Sequence, residues 1–160
     1  MSRVLVVAFG NPFMGDDGAG PAVLQHLARL GVPAGVRLAD GGTDATNLAH
    51  LWQGEDTVIL VDAMTRGAAA GTIHQLTLDQ LLRVPQPHEG VHALSLPACV
   101  HWVLLAYPEL AQTNFWVFGV EPQRVASNTG LSPKVAQAVE ELAQRLHGLL
   151  GDRCHSRSKT

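Results

Sequence analysis

Cysteine is scarce in this chain: Cys99 and Cys154 are the two among 160 residues. They form no C-x-x-C pair, and so few thiols build no disulfide framework. Cys99 falls in an apolar helical stretch and reads as a core residue rather than a nucleophile. Long apolar runs are missing as well. No stretch approaches the roughly 18 apolar residues of a membrane span. The first apolar run, Val4 to Phe9, is too short for a signal peptide and no cleavage site follows it, so a cytoplasmic protein is expected. Strong charge of one sign is also lacking: 11 basic against 14 acidic residues give a net charge of -3. That balance points to neither nucleic acid nor an anionic membrane as partner. With 46% hydrophobic and 16% charged residues, the composition is that of an ordinary globular domain.

What is present is an alternation of strand and helix patterns. Val4 to Phe9 is a continuous apolar run of the kind that forms a buried strand, and a turn-rich loop follows from Asn11 to Gly18. Val23, Leu24, Leu27 and Leu30 then recur at helical spacing, with Pro21 in the first turn and Gly31 as the stop. Val36 to Ala39 and Thr57 to Val61 read as further strands, the latter apolar enough to be central. Between them, Thr43 or Asp44 is placed to cap a helix running to Leu51 and Trp52. Thr72 to Leu76 alternates as an edge strand does, and Leu78 to Val84 is short and helical or irregular. Pro97 to Tyr107 is an apolar helix, Phe115 to Val120 the last strand, and Pro133 to Leu149 a long amphipathic helix. The order predicts a three-layer α/β sandwich, a mostly parallel twisted sheet of about five strands with helices on both faces. One domain over residues 1–150 and a flexible polar tail over 151–160 are expected.

In a parallel sheet, ligands bind outside the carboxyl ends of the strands. The first strand delivers Asn11, Asp16 and Asp17 there, the second Asp40 and Thr43, and the third Asp62. The loop ahead of the Pro97 helix brings His92 towards the same edge. Two carboxylates and an imidazole can hold a divalent metal with positions left open, or serve as acid and base without one. Each residue also has a plainer reading. An Asp at a helix start is commonly a cap. An Asp closing a central strand places charge at the mouth of a buried sheet, and neither Asp17 nor Asp62 has a basic residue nearby in sequence to explain it as a salt bridge, although Arg66 could approach Asp62 in space. A loop histidine is commonly solvated, and the chain holds eight.

Several familiar chemistries lack their signatures. Ser95 sits in Ala93-Leu94-Ser95-Leu96-Pro97, which is no G-x-S-x-G elbow. No H-E-x-x-H zinc helix is expected. Gly10, Gly15, Gly18 and Gly20 make a glycine-rich strand-to-helix connection, but not as G-x-G-x-x-G, and no Lys follows Gly15. Asp16 and Asp17 put negative charge where a phosphate would dock, which favours a cation over an anion.

The stretch Gly10-Asn11-Pro12-Phe13-Met14-Gly15-Asp16-Asp17-Gly18-Ala19-Gly20-Pro21 resembles the opening motif of hydrogenase maturation endopeptidases. Further resemblances follow in order: Asp40-Gly41-Gly42-Thr43, Val61-Asp62-Ala63, His92 with Ala93-Leu94-Ser95-Leu96, Phe118-Gly119-Val120-Glu121-Pro122 and Leu131-Ser132-Pro133. Together they span about residues 3–149. The resemblance implies Asp17, Asp62 and His92 as catalytic and metal-docking residues. Asp16 is a helix-start or supporting neighbour, His88 the fallback histidine and Asp40 a possible accessory. It implies an endopeptidase that removes the C-terminal extension from the nickel-loaded precursor of a [NiFe]-hydrogenase large subunit. The nickel is supplied by that substrate rather than kept by the protease. The reading from a different class is a non-catalytic metal- or small-ligand-binding module on the same fold.

Overall fold

The computed structural model describes residues 2–85 and 95–155. Five strands form one sheet: β1 (Val4–Ala8), β2 (Val36–Asp40), β3 (Thr57–Ala63), β4 (Ile73–Thr77) and β5 (Asn114–Val120), in the order β2-β1-β3-β5-β4. The pairs β1/β2, β1/β3 and β3/β5 are parallel, and β4 joins the edge antiparallel to β5. The helices are α1 (Ala19–Leu30), α2 (Leu48–Leu51), α3 (Leu78–Leu82), α4 (Leu96–Ala106) and α5 (Pro133–His155).

Side chains alternate across a strand, so a strand buried on both faces must be apolar throughout. Val4, Val6 and Ala8 of β1 join Ile59, Val61, Phe118 and Val120 in one core, which α1 and α5 cover with Val23, Leu27, Val135, Val139, Leu142 and Leu146. Leu5, Val7, Val58, Leu60, Phe115 and Val117 face the other way, against Leu48 of α2, Leu81 of α3 and Cys99, Val100 and Val103 of α4. This is the expected three-layer α/β sandwich, with Cys99 in the core as its surroundings implied.

The connections decide where a crevice opens. From β1 the chain crosses one face through α1 to reach β2, then returns over the opposite face through α2 to β3, on the far side of β1. That reversal of strand order parts the loops at the strands' carboxyl ends. The start of α1 lies directly over the gap. A Cβ on Gly20 would press into the carbonyl oxygens of Phe9 and Val61, the chain just past β1 and near the end of β3. Glycine there lets the helix sit on the switch point itself.

One feature differs from the sequence expectations, and two settle alternatives that the sequence left open. Gly151 does not stop α5, which continues to His155, and Arg153 Nη1 donates to Thr57 Oγ1 at 3.0 Å. The flexible tail therefore does not begin at residue 151. The short piece after β4 is a helix, because Thr77 and Gln80 close a reciprocal capping box. Asp44 is the residue that caps, accepting from Thr46 N at 2.9 Å, although it starts a 3-10 turn (Ala45–Asn47) ahead of α2. Among the described residues, no helix is long and apolar enough to cross a membrane.

Candidate active site

The loop after β1 is folded by its own turn chemistry. Gly10 takes φ +136°, a conformation that side chains rarely adopt, and a Cβ on it would collide with the Asp17 carbonyl oxygen. Asn11 Oδ1 then accepts from Phe13 N at 2.9 Å, an Asx turn. Residues Gly15–Gly18 form a 3-10 turn that runs into α1. The turn brings Asp17 back over the end of β1, where its Oδ2 accepts from Asn11 N at 2.9 Å. Asp17 remains half-buried.

Asp16, its neighbour, is fully buried and is not a helix cap. Its Oδ2 accepts from Ser132 Oγ at 2.6 Å and from the N–H groups of Gln123 and Arg124, both at 2.8 Å. Its Oδ1 accepts from Ser132 N at 2.7 Å. Backbone bonds reinforce the seam: Gly15 N donates to Thr129 O, Asp16 N to Arg124 O and Asn128 N to Phe13 O. Burial works to raise the Asp16 pKa. The bonds from Ser132 Oγ and N and from the Arg124 and Gln123 N–H groups outweigh it and hold the carboxyl below its ordinary value.

Asp62 lies near the end of β3, opposite Gly119 of β5 in the register. Burial, then the negative charge of Asp17, push its pKa up to about 8, against a hydrogen bond from Ala63 N. Among the described residues, no cation makes an ion pair with Asp17 or Asp62. Arg66 does not answer Asp62; its N–H donates instead to Glu121 Oε1 and Oε2 at 3.0 and 2.9 Å. Glu121, 2% exposed, also accepts from Ala68 N at 2.5 Å and so pins the chain that leaves β3. Sequence reasoning quoted Glu121 and Ser132 without giving either a role. The available signal was a charged residue directly after an apolar strand, the same signal that marked Asp62.

The structure thus brings Asp17 and Asp62 within electrostatic reach of each other. His92 and His88 lie outside the described residues. Pro85 and Ser95, on the two sides of that segment, line one cleft with Asp62. Asp40 turns back on itself, its Oδ1 accepting from Gly42 N at 2.8 Å. Among the described residues, no three His, Cys, Asp or Glu side chains are grouped to hold a metal ion. His88-Glu89-Gly90-Val91-His92 does spell H-E-x-x-H, a motif whose zinc site is built on one face of a helix, and that segment lies outside the described residues.

Residues 21–148 match the family described as hydrogenase maturation protease, and the chain belongs to that family of peptidases. The match includes Asp62 and starts just past Asp17. The hydrogenase expression/formation protein HoxM of Azotobacter vinelandii is 28% identical over 154 residues, which cover 89% of this chain and 73% of HoxM. Among solved structures, the hydrogenase maturating endopeptidase HybD of E. coli superposes with a TM-score of 0.76 at 22% identity, over 94% of this chain and 93% of that one. The [NiFe] hydrogenase maturation protease HycI of Thermococcus kodakarensis gives 0.75 at 21%, with the same coverage. At these identities the structural likenesses establish the fold.

Two predictions follow from the acids. Asp16→Asn puts an amide donor among four donors, and leaving buried donors unpaired costs about 1–3 kcal/mol each. Urea unfolding should show a loss of about 2–4 kcal/mol with the denaturant slope unchanged; a loss below about 0.5 kcal/mol would disprove the clamp. Asp62 keeps its proton in the folded state where the unfolded chain has lost it. Its contribution is therefore fully present below its ordinary value of 3.8 and disappears as pH rises to about 8. The melting temperature of Asp62→Asn minus that of the wild type should climb across this window and level off above it. A flat difference would mean that Asp62 titrates normally.

Proposed function

We propose that this peptidase removes the C-terminal extension from the nickel-loaded precursor of a [NiFe]-hydrogenase large subunit, in the cytoplasm. Asp17, Asp62 and His92 dock on nickel that the precursor carries in. The observation that carries this reading is the pair Asp17 and Asp62: two acids at the switch-point crevice with no cation beside them among the described residues. Such a pair holds a proton at neutral pH and exchanges it readily for a divalent cation. Two carboxylates and one imidazole leave coordination positions for the precursor's own ligands. The pinning of Asp17 through Asn11 and of the chain beyond Asp62 through Glu121 keeps both acids in place before the metal arrives.

Hydrolysis needs a water oxygen to add to the scissile carbonyl carbon and a proton to reach the departing amide nitrogen. The nickel supplies Lewis-acid polarisation of the carbonyl or of the water. The acid pair and His92 fix that ion against the scissile bond.

The test is a processing assay on precursor purified with and without nickel. Wild type should shorten only the loaded form. Asp17→Asn, Asp62→Asn and His92→Ala should fold and fail to process it, and the double acid variant should be no worse than either single one, as for residues that act as a unit. Glu89→Gln should process normally, whereas a resident zinc centre built on H-E-x-x-H would lose its general base. Efficient cutting of nickel-free precursor, or normal cutting by the Asp62 and His92 variants, contradicts the proposal.

A further inference from the structure

The cleft that Asp62 lines has a wall that plays no part in the acid chemistry. Met64, Leu81, Val84, Leu96 and Pro97 form it, and among the described residues no basic side chain contributes. Its volume is about 220 Å³, below the roughly 300–1,000 Å³ of pockets that enclose drug-sized ligands. It has room for one side chain rather than a whole small molecule. A charged side chain entering it would lose its water and find no counter-charge among the described residues, beside an acid already short of solvent.

The wall is firmly supported. Leu81 is fully buried on α3, whose start the Thr77–Gln80 capping box fixes. Ser95 Oγ accepts from Ala98 N at 3.4 Å and sets the first turn of α4, which carries Leu96 and Pro97. Met64 N donates to Val120 O at 3.0 Å. The Met64 side chain lies over the bare backbone of Gly119, where an added Cβ would come 2.5 Å from Met64 Cβ and 3.1 Å from its sulfur. Gly119 thus makes the space that seats Met64 at the cleft.

We infer that this cleft is the subsite for an uncharged apolar side chain of the substrate, at a residue adjoining the scissile bond, and that Met64 sets the size it accepts. The inference rests on the peptidase reading above. It gives the Asp62 cleft two functions: the acid end faces the metal and the apolar end holds the chain to be cut.

The experiment uses full-length enzyme and nickel-loaded precursors in which each residue flanking the cut, located by mass spectrometry of the products, is replaced in turn by Ala, Leu, Phe and Asp. At one of these positions wild type should cut Leu at least about tenfold faster than Asp, since one methylene in an apolar pocket is already worth about 10–200-fold. Met64→Ala should raise the Phe-to-Leu ratio of kcat/KM at that same position by about tenfold or more, and Leu96→Phe should lower it. If wild type cuts but neither variant moves the ratio beyond twofold at either position, the subsite is wrong while the peptidase reading stands. If wild type cuts no loaded precursor, both are wrong.

Discussion

The Asp16 carboxylate joins parts of the chain more than a hundred residues apart. Both of its oxygens are occupied by donors from Gln123, Arg124 and Ser132, so it fastens the loop after β1 to the loop after β5 and to the start of α5. A carboxylate removed from water is tolerated only when hydrogen bonds replace the water. This one has four such bonds, and its charge is kept. Because Asp17 is the next residue, fixing Asp16 also fixes the backbone from which Asp17 reaches the crevice. The two adjacent acids thus divide the work. One is fully buried and used up in holding the loop, and the other is half-buried with one oxygen held by Asn11 N.

Asp62 has the opposite environment. It sits at the end of the most central strand, with Asp17 as its nearest charged influence and no cation in contact among the described residues. A fold seeking only stability would neutralise such a position or pair it. The neighbouring Glu121 shows what a satisfied acid looks like here, holding the Arg66 and Ala68 N–H groups. Asp16 and Glu121 are therefore framework, whereas Asp17 and Asp62 have no cation paired with them among the described residues.

Much of the fold was legible because parallel strands covered on both faces must be apolar throughout, as Val4 to Ala8 and Thr57 to Val61 are. The turn residues were equally plain: Gly31 ends α1 with φ +82° and donates to Leu27 O. Other features had no local signal. The alternation in Ile73 to Thr77 marks an edge strand but carries no record of its direction. Gly151 reads as a stop, yet Arg153 finds Thr57 96 residues away and the helix continues. The apolar sequence of α4 hides which side is outward, and Trp102 and Leu105 are 61% and 63% exposed. In the site, the meeting of Asp17 and Asp62 at the sheet's carboxyl edge could be anticipated from strand order. The reason Asp16 differs from Asp17 could not, because all four of its donors lie beyond residue 120.

The central claim is that the crevice acids bind nickel brought by another protein. X-ray absorption at the nickel edge tests it most directly, on loaded precursor alone and after mixing with a cleavage-deficient protease that keeps both acids, His92→Ala. The account predicts new oxygen scatterers at about 2.0–2.2 Å, the usual carboxylate distance to a divalent metal. They should vanish when Asp17 and Asp62 are both replaced by Asn in that background. A nickel spectrum unchanged by binding of the protease, with complex formation verified in the same sample, would contradict it.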